Sequence, residues 1–137
     1  MSLPEFLGLA VGIPFRERGR DYDGCDCYGI VFLAYRDVLG LSLPSFAEAY
    51  TTTEDRAALA ALIDGEMGPW VEIPAGQERA LDAVLMTEGR FPRHIGIVVK
   101  PGFVLHVARS HESRIERYDS SRFRRRVHGF FRHRALA

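Results

Sequence analysis

Apolar side chains recur at helical spacing in the first half of the chain and in short β-rich runs in the second. Leu3, Phe6, Leu7 and Ala10 follow Ser2, and Glu5 stands three residues after it in the form of a capping box. The pattern predicts a first helix over 3–11. Residues 16–24, RERGRDYDG, hold two glycines and no apolar period, and read as a loop. Cys27, Ile30, Val31, Ala34 and Val38 then share one stripe, with Asp26 placed as N-cap and Gly40 as C-terminal stop. Thr51 and Glu54 repeat the capping-box spacing ahead of Ala58, Leu59, Leu62 and Ile63, which predicts a helix over 53–64 ending near Gly65. Pro69, Pro74 and Gly76 break the next stretch into a connecting loop. Beyond residue 80 the runs 82–87, 93–99, 103–108, 114–118 and 127–132 predict five strands. Helices first and an antiparallel sheet second make the expected class α+β.

With 137 residues, 47% apolar and 26% charged, the chain fits one domain over 1–137 with a core of its own. The opening MSLPEFLGLAVGIPF lacks a basic n-region and a small-residue cleavage site, and no later run approaches a membrane span. The expectation is a protein that is cytoplasmic when made, with no membrane partner. Formal net charge is zero, so no general pull on nucleic acid is expected. Residues 111–137 carry eight Arg against three acids, which reads as a solvated strand face. The acid-rich segment 45–80 is expected to border a cleft, with Phe46 and Trp70 on the side of Cys27.

Both cysteines lie in DGCDCYGIV, residues 23–31. A bridge between Cys25 and Cys27 would close a very small, strained ring and is not expected. Cys27 falls in the first turn of a helix, where unsatisfied amides and the helix dipole favour a thiolate, although a small apolar residue on a buried stripe also fits. A nucleophile needs a base, and His94 and His106 lie on consecutive predicted strands. A two-residue Pro101-Gly102 turn pairing Lys100 with Phe103 would send the two rings to opposite faces. A three-residue loop with Gly102 left-handed and a bulge makes His106 the partner of Gly96 and His94 a diagonal neighbour. Taken by themselves, Cys27, His94 and His106 read equally well as a catalytic trio or as three core residues. Cys25, Cys27, His94 and His106 also reach the donor count of a zinc site, but a CxC pair lacks the usual knuckle spacing, so no metal and no cofactor are expected. His111, His128 and His133 read as surface residues.

These stretches together resemble the NlpC/P60 family of cysteine peptidases, which have a minimal papain-like fold. Asp26-Cys27-Tyr28-Gly29 matches the family's DCxG, His94-Ile95-Gly96-Ile97 its HxGI strand, and Leu105-His106-Val107 its third-residue strand. Gly12-Ile13-Pro14-Phe15 is similar to the GxPY opening, and Asp82 stands where a GD pair begins the first strand. GCDC in place of FDC, and the stretch from Arg124 to Arg132, resemble members from the tail tips of long-tailed phages.

The resemblance implies N-terminal helices packed on a C-terminal sheet of about five strands. It implies Cys27 as nucleophile, His94 as general base, and His106 as the group that orients His94. The Cys27 amide would serve the oxyanion, with Phe15, Arg18, Tyr22 and Asp26 around it. Phe15 departs from the usual Tyr and offers no hydroxyl, a role for which Tyr22 is the substitute in reach. Arg18 or Arg20 would meet substrate carboxylates or else belong to a solvated loop, and Cys25 would pack behind the helix start without a catalytic part. The implied activity is cleavage of peptidoglycan stem peptides between D-glutamate and the diamino acid, in a phage tail and beside tail-tip proteins. Phe15 motivates the rival reading, a tail-tip structural subunit that keeps the fold without useful activity.

Overall fold

The computed structural model describes residues 1–136, apart from the side chain of Arg122. Its first helix, α1 (Leu3–Ala10), begins on the expected capping box: Ser2 accepts from the Glu5 amide, and the Glu5 carboxylate accepts from the Ser2 amide. Helix α2 (Cys27–Leu39) starts on Asp26, whose side chain accepts from the Gly29 amide at 3.0 Å, and stops on Gly40 in the left-handed conformation, φ 65°. Ile30, Val31, Leu33 and Ala34 are fully buried on it.

Helix α3 (Arg56–Gly65) departs from the expected start. Its N-cap is Asp55, which accepts from the Ala58 amide at 3.1 Å. The threonines ahead of it are engaged elsewhere: Thr52 accepts from the Glu54 amide, and Thr53 is bound to the Glu17 carboxylate. The segment read as a loop at 16–24 contains a two-residue ribbon, β1 (Arg20–Asp21) with β2 (Gly24–Cys25), too short to leave a periodic signal.

The main sheet has six antiparallel strands rather than five. They are β3 (Trp70–Ile73), β4 (Ala83–Glu88), β5 (Phe91–Lys100), β6 (Phe103–Ala108), β7 (His111–Arg117) and β8 (Val127–His133), in the order β3-β8-β4-β5-β6-β7. The strand missing from the sequence reading is β3. Pro69 and Pro74 flank it at the sheet edge, where a missing donor costs no ladder bond, and it pairs with the distant β8. A four-residue helix, α4 (Ser121–Arg124), joins β7 to β8.

At the tip of the β5–β6 hairpin Lys100 pairs with Phe103 across a two-residue turn, and Gly102 takes φ 98°. The expected three-residue loop is therefore absent. A bulge at Val99 shifts the pairing to Val98–Val104 and Ile97–Leu105, the register in which His94 and His106 share a face. Pairing ends at Ile97–Leu105, so the two strands part beside the histidines.

Side chains alternate between two cores. Ile95, Ile97, Leu105 and Val107 pack with α1 and α2 around Phe6, Ile30 and Tyr35. Val84, Met86, Val98 and Val104 pack on the opposite face with Tyr118, Phe123 and Phe130. No helix among the described residues is long and apolar enough to cross a membrane.

Candidate active site

Asp26 is the residue around which the site is built, and it is fully buried. Besides capping α2 it accepts from the Arg18 amide (3.0 Å) and from Arg20 Nη1 (2.7 Å), and it is bonded to the Tyr50 hydroxyl. Arg18 is left-handed (φ 60°), which turns its amide toward that carboxylate. Both carboxylate oxygens of Asp26 are thus engaged, so it orients the first turn of α2 and does not line a substrate cleft, as the sequence had suggested. Arg20 is similarly committed, to Asp26, the Tyr50 hydroxyl and the Ser45 carbonyl, and is not available to a substrate carboxylate. Arg18 is exposed to solvent. Gly29 is required by the same construction: a Cβ there would meet the Gly19 carbonyl oxygen at 2.4 Å.

Cys27 is 4% exposed. Burial dominates and pushes the thiol up to about 12, with Asp26 adding to the rise and Arg93 opposing it. Burial thus works against the thiolate that the start of α2 favours. Cys25 is wholly buried in β2, its thiol also raised to about 12 chiefly by burial, and both cysteines are free thiols.

His94 and His106 are both 2% exposed, and His94 Nε2 lies 2.9 Å from His106 Nδ1. The pairing leaves only Nδ1 of His94 for any further partner. Gly96 makes the approach possible, since a Cβ on it would come within 3.0 Å of the His106 Cβ and 2.7 Å of Val104. Burial, reinforced by His106 and nearby arginines, holds His94 well below the ordinary imidazole range. His106 is lowered to about 4, mainly by burial, against the opposing pull of Glu116.

Two residues near this pair were not anticipated. Glu116 on β7 brings Oε2 to 3.3 Å from His106 Nε2, without the alignment of a hydrogen bond. His111, read as a surface residue, packs its ring 5.0 Å from that of His106. The four-donor set of two cysteines and two histidines is not assembled. The metal-capable group among the described residues is His106, His111 and Glu116.

A cleft of about 630 Å³ is shared by Cys27, His94, Phe15, Arg93 and Arg109, with residues 53–57 along one side. It opens where β5 and β6 part, so a cysteine from one face of the sheet and an imidazole from the other reach a common space. Glu17 pins residue 53 of the bordering segment and also pairs with Arg109 at 3.1 Å. A second, apolar pocket of about 100 Å³ meets Cys27 from the other side and is lined by Phe46, Tyr50 and Trp70 among others. The segment 45–80 thus borders the space around Cys27, as its composition suggested. Phe15 lines the cleft, with the Arg109 guanidinium 5.1 Å over its ring. Tyr22 does not replace its hydroxyl: the Tyr22 O–H donates to Asp37 at 2.5 Å.

Three helices on one face of an antiparallel sheet, with a cysteine heading the central one, define a mixed α+β, papain-like fold. The chain belongs to the NlpC/P60 family, whose sequence profile matches residues 12–132. No curated protein matches it. Among solved structures, the NlpC/P60 domain of the peptidoglycan hydrolase SagA superposes with a TM-score of 0.58 at 17% identity, over 85% of this chain and 86% of that one. The P60 domain of an antigen from M. avium subspecies paratuberculosis gives 0.63 at 15% identity, over 96% and 91%. An NLP/P60-family protein of Staphylococcus aureus, described as similar to lipoprotein, gives 0.65 at 19%, over 95% of this chain and 39% of that one.

Proposed function

We propose that the chain is a cysteine peptidase that cleaves peptidoglycan stem peptides, between D-glutamate and the diamino acid, through an acyl-enzyme on Cys27. The observation that carries this reading is the 2.9 Å contact of His94 Nε2 with His106 Nδ1, which leaves His94 Nδ1 as the one free nitrogen in a cleft shared with Cys27. In the working tautomer His94 Nε2–H donates to His106, and the Nδ1 lone pair takes the thiol proton as sulfur attacks the peptide carbonyl. Because burial keeps both groups neutral at rest, the proton moves with the attack and no standing ion pair is needed. The Cys27 amide supports the oxyanion, the imidazolium returns its proton to the leaving amine, and water attacks the thioester with His94 again as base. Arg93 and Arg109 line the cleft in ion pairs with Glu88 and with Glu17 and Glu54, so its wall offers both charges to a stem peptide.

The GCDC and Arg124–Arg132 resemblances support a phage-tail origin, in which a tail particle carries the protein to the wall beside tail-tip partners. Digestion of purified peptidoglycan followed by mass analysis of the muropeptides tests the activity. The native chain is expected to release fragments with a new amine on the diamino acid, and Cys27→Ala none. Identical digests from the two would refute it. Phe15, with no hydroxyl from Tyr22 in its place, supports the second reading, a structural subunit without useful activity. That reading predicts no digestion by either chain.

A further inference from the structure

His106 Nε2 is a buried polar atom without a hydrogen-bond partner, a state that costs free energy unless something answers it. It does not point at empty protein. With His111 and Glu116, both on the edge strand β7, His106 forms a group in which one ligand atom from each residue lies within 4.8 Å of the other two. His111 is held ready to act as a ligand, because its Nδ1–H donates to the Glu112 carbonyl at 2.8 Å, which fixes the tautomer and leaves the Nε2 lone pair free. Glu116 Oε2 already stands 3.3 Å from His106 Nε2, close to the ligand–ligand spacing of about 3.4 Å that zinc bonds of about 2.1 Å impose in a tetrahedron. His111 is partly exposed, so its ring has room to adjust to that geometry.

We propose that His106, His111 and Glu116 form a zinc site whose occupation switches off the Cys27–His94 pair. Two imidazoles and a carboxylate are a donor set of the zinc class, with water in the fourth position. The Arg114 guanidinium on the other oxygen of Glu116, and Arg126 nearby, keep the affinity below that of a closed four-ligand site. The switch follows from proton bookkeeping along the relay. In the working tautomer the His106 proton sits on Nε2 and its Nδ1 accepts from His94. A metal ion on Nε2 moves that proton to Nδ1, which must then donate to His94 Nε2. The His94 proton shifts in turn to Nδ1 and faces the cleft, where a lone pair was needed. Two tautomers change, no net proton is gained or lost, and His94 no longer accepts from Cys27.

The inhibitory half rests on the reading of Cys27 and His94 as nucleophile and base; the binding half does not. Calorimetric titration of the full chain with zinc at pH 7 tests binding alone. One ion is expected on the native chain and on Cys27→Ala, with at least tenfold weaker binding in His111→Ala and in Glu116→Gln. Zinc lost in Cys27→Ala but kept in His111→Ala would place the ion on the thiol and overturn the site. Iodoacetamide labelling of Cys27 tests the lock. Zinc is expected to slow it at least fivefold in the native chain and to leave it unchanged in His111→Ala, each measured against the same protein's own zinc-free rate. Binding that depends on His111 without any change in labelling would overturn the lock. Failure of the zinc-free chain to digest peptidoglycan would instead refute the proposed activity, with the titration unaffected.

Discussion

Acidification from pH 7 to 5 should destabilise this protein progressively, because two imidazoles are buried in the neutral state. The unfolded chain protonates His106 near the ordinary value of about 6.5, whereas the folded chain refuses that proton until about 4. Its contribution to stability is fully present above about 6.5. It falls as pH drops between the two values, by about 1.4 kcal/mol per pH unit. By pH 5 the loss from His106 alone is about 2 kcal/mol, and by pH 4 about 3 kcal/mol. His94 is lowered as well and adds in the same direction. Glu17 and Asp37, whose carboxyls are also held low, add their own losses only as pH falls through the carboxylate range, so the window from 7 to 5 isolates the histidines. Urea unfolding at pH 7, 6 and 5, followed by circular dichroism, measures the slope. In His106→Gln the dependence should flatten by about 1 kcal/mol per pH unit, even if the variant is less stable overall. Native stability that is level from pH 7 to 5, or an unchanged slope in His106→Gln, would refute the argument that burial holds these rings neutral.

Asp26→Ala removes an N-cap and strands the nearly buried Arg20, so a loss of about 3–5 kcal/mol in urea unfolding is expected, with Cys27 becoming open to alkylation. Phe15→Tyr should return a donor to the oxyanion region and raise kcat on stem peptides by about tenfold to a hundredfold with little change in KM. A rate that stays level in steady-state assays would show that Phe15 is not what limits the chemistry.

Local signals carried far in the sequence, and long-range ones did not. Ser2, Asp26 and Gly40 act on amides within their own turns, which is why two helix starts and one stop could be placed from spacing alone. The candidate trio Cys27, His94 and His106 could be named because three short motifs stand in order at fitting distances. The face shared by the two histidines was foreseen together with its bulge and the left-handed Gly102; the Lys100–Phe103 pair at the tip was not. The role of Asp26 was hidden because its partners Arg20 and Tyr50 meet it only in three dimensions. Strand β3 was hidden because four residues between prolines carry no period of their own. Glu116 had a traceable signal. His106 pairs with Arg114, so Glu116 lies two residues along on the same face, but an irregularity between His106 and Ala108 obscures that register.

The parting of β5 and β6 has a mechanical consequence. The sulfur is anchored in the helical half of the molecule, while the rings lean on Met86 and Phe123 beneath the sheet, with α4 only four residues long. Reactivity thus requires both halves to be condensed simultaneously, like a lock needing two keys. On warming, loosening of the small lower layer would misalign the imidazoles while α1 and α2 still give their full helical signal, so the proposed activity would be lost before the helices melt.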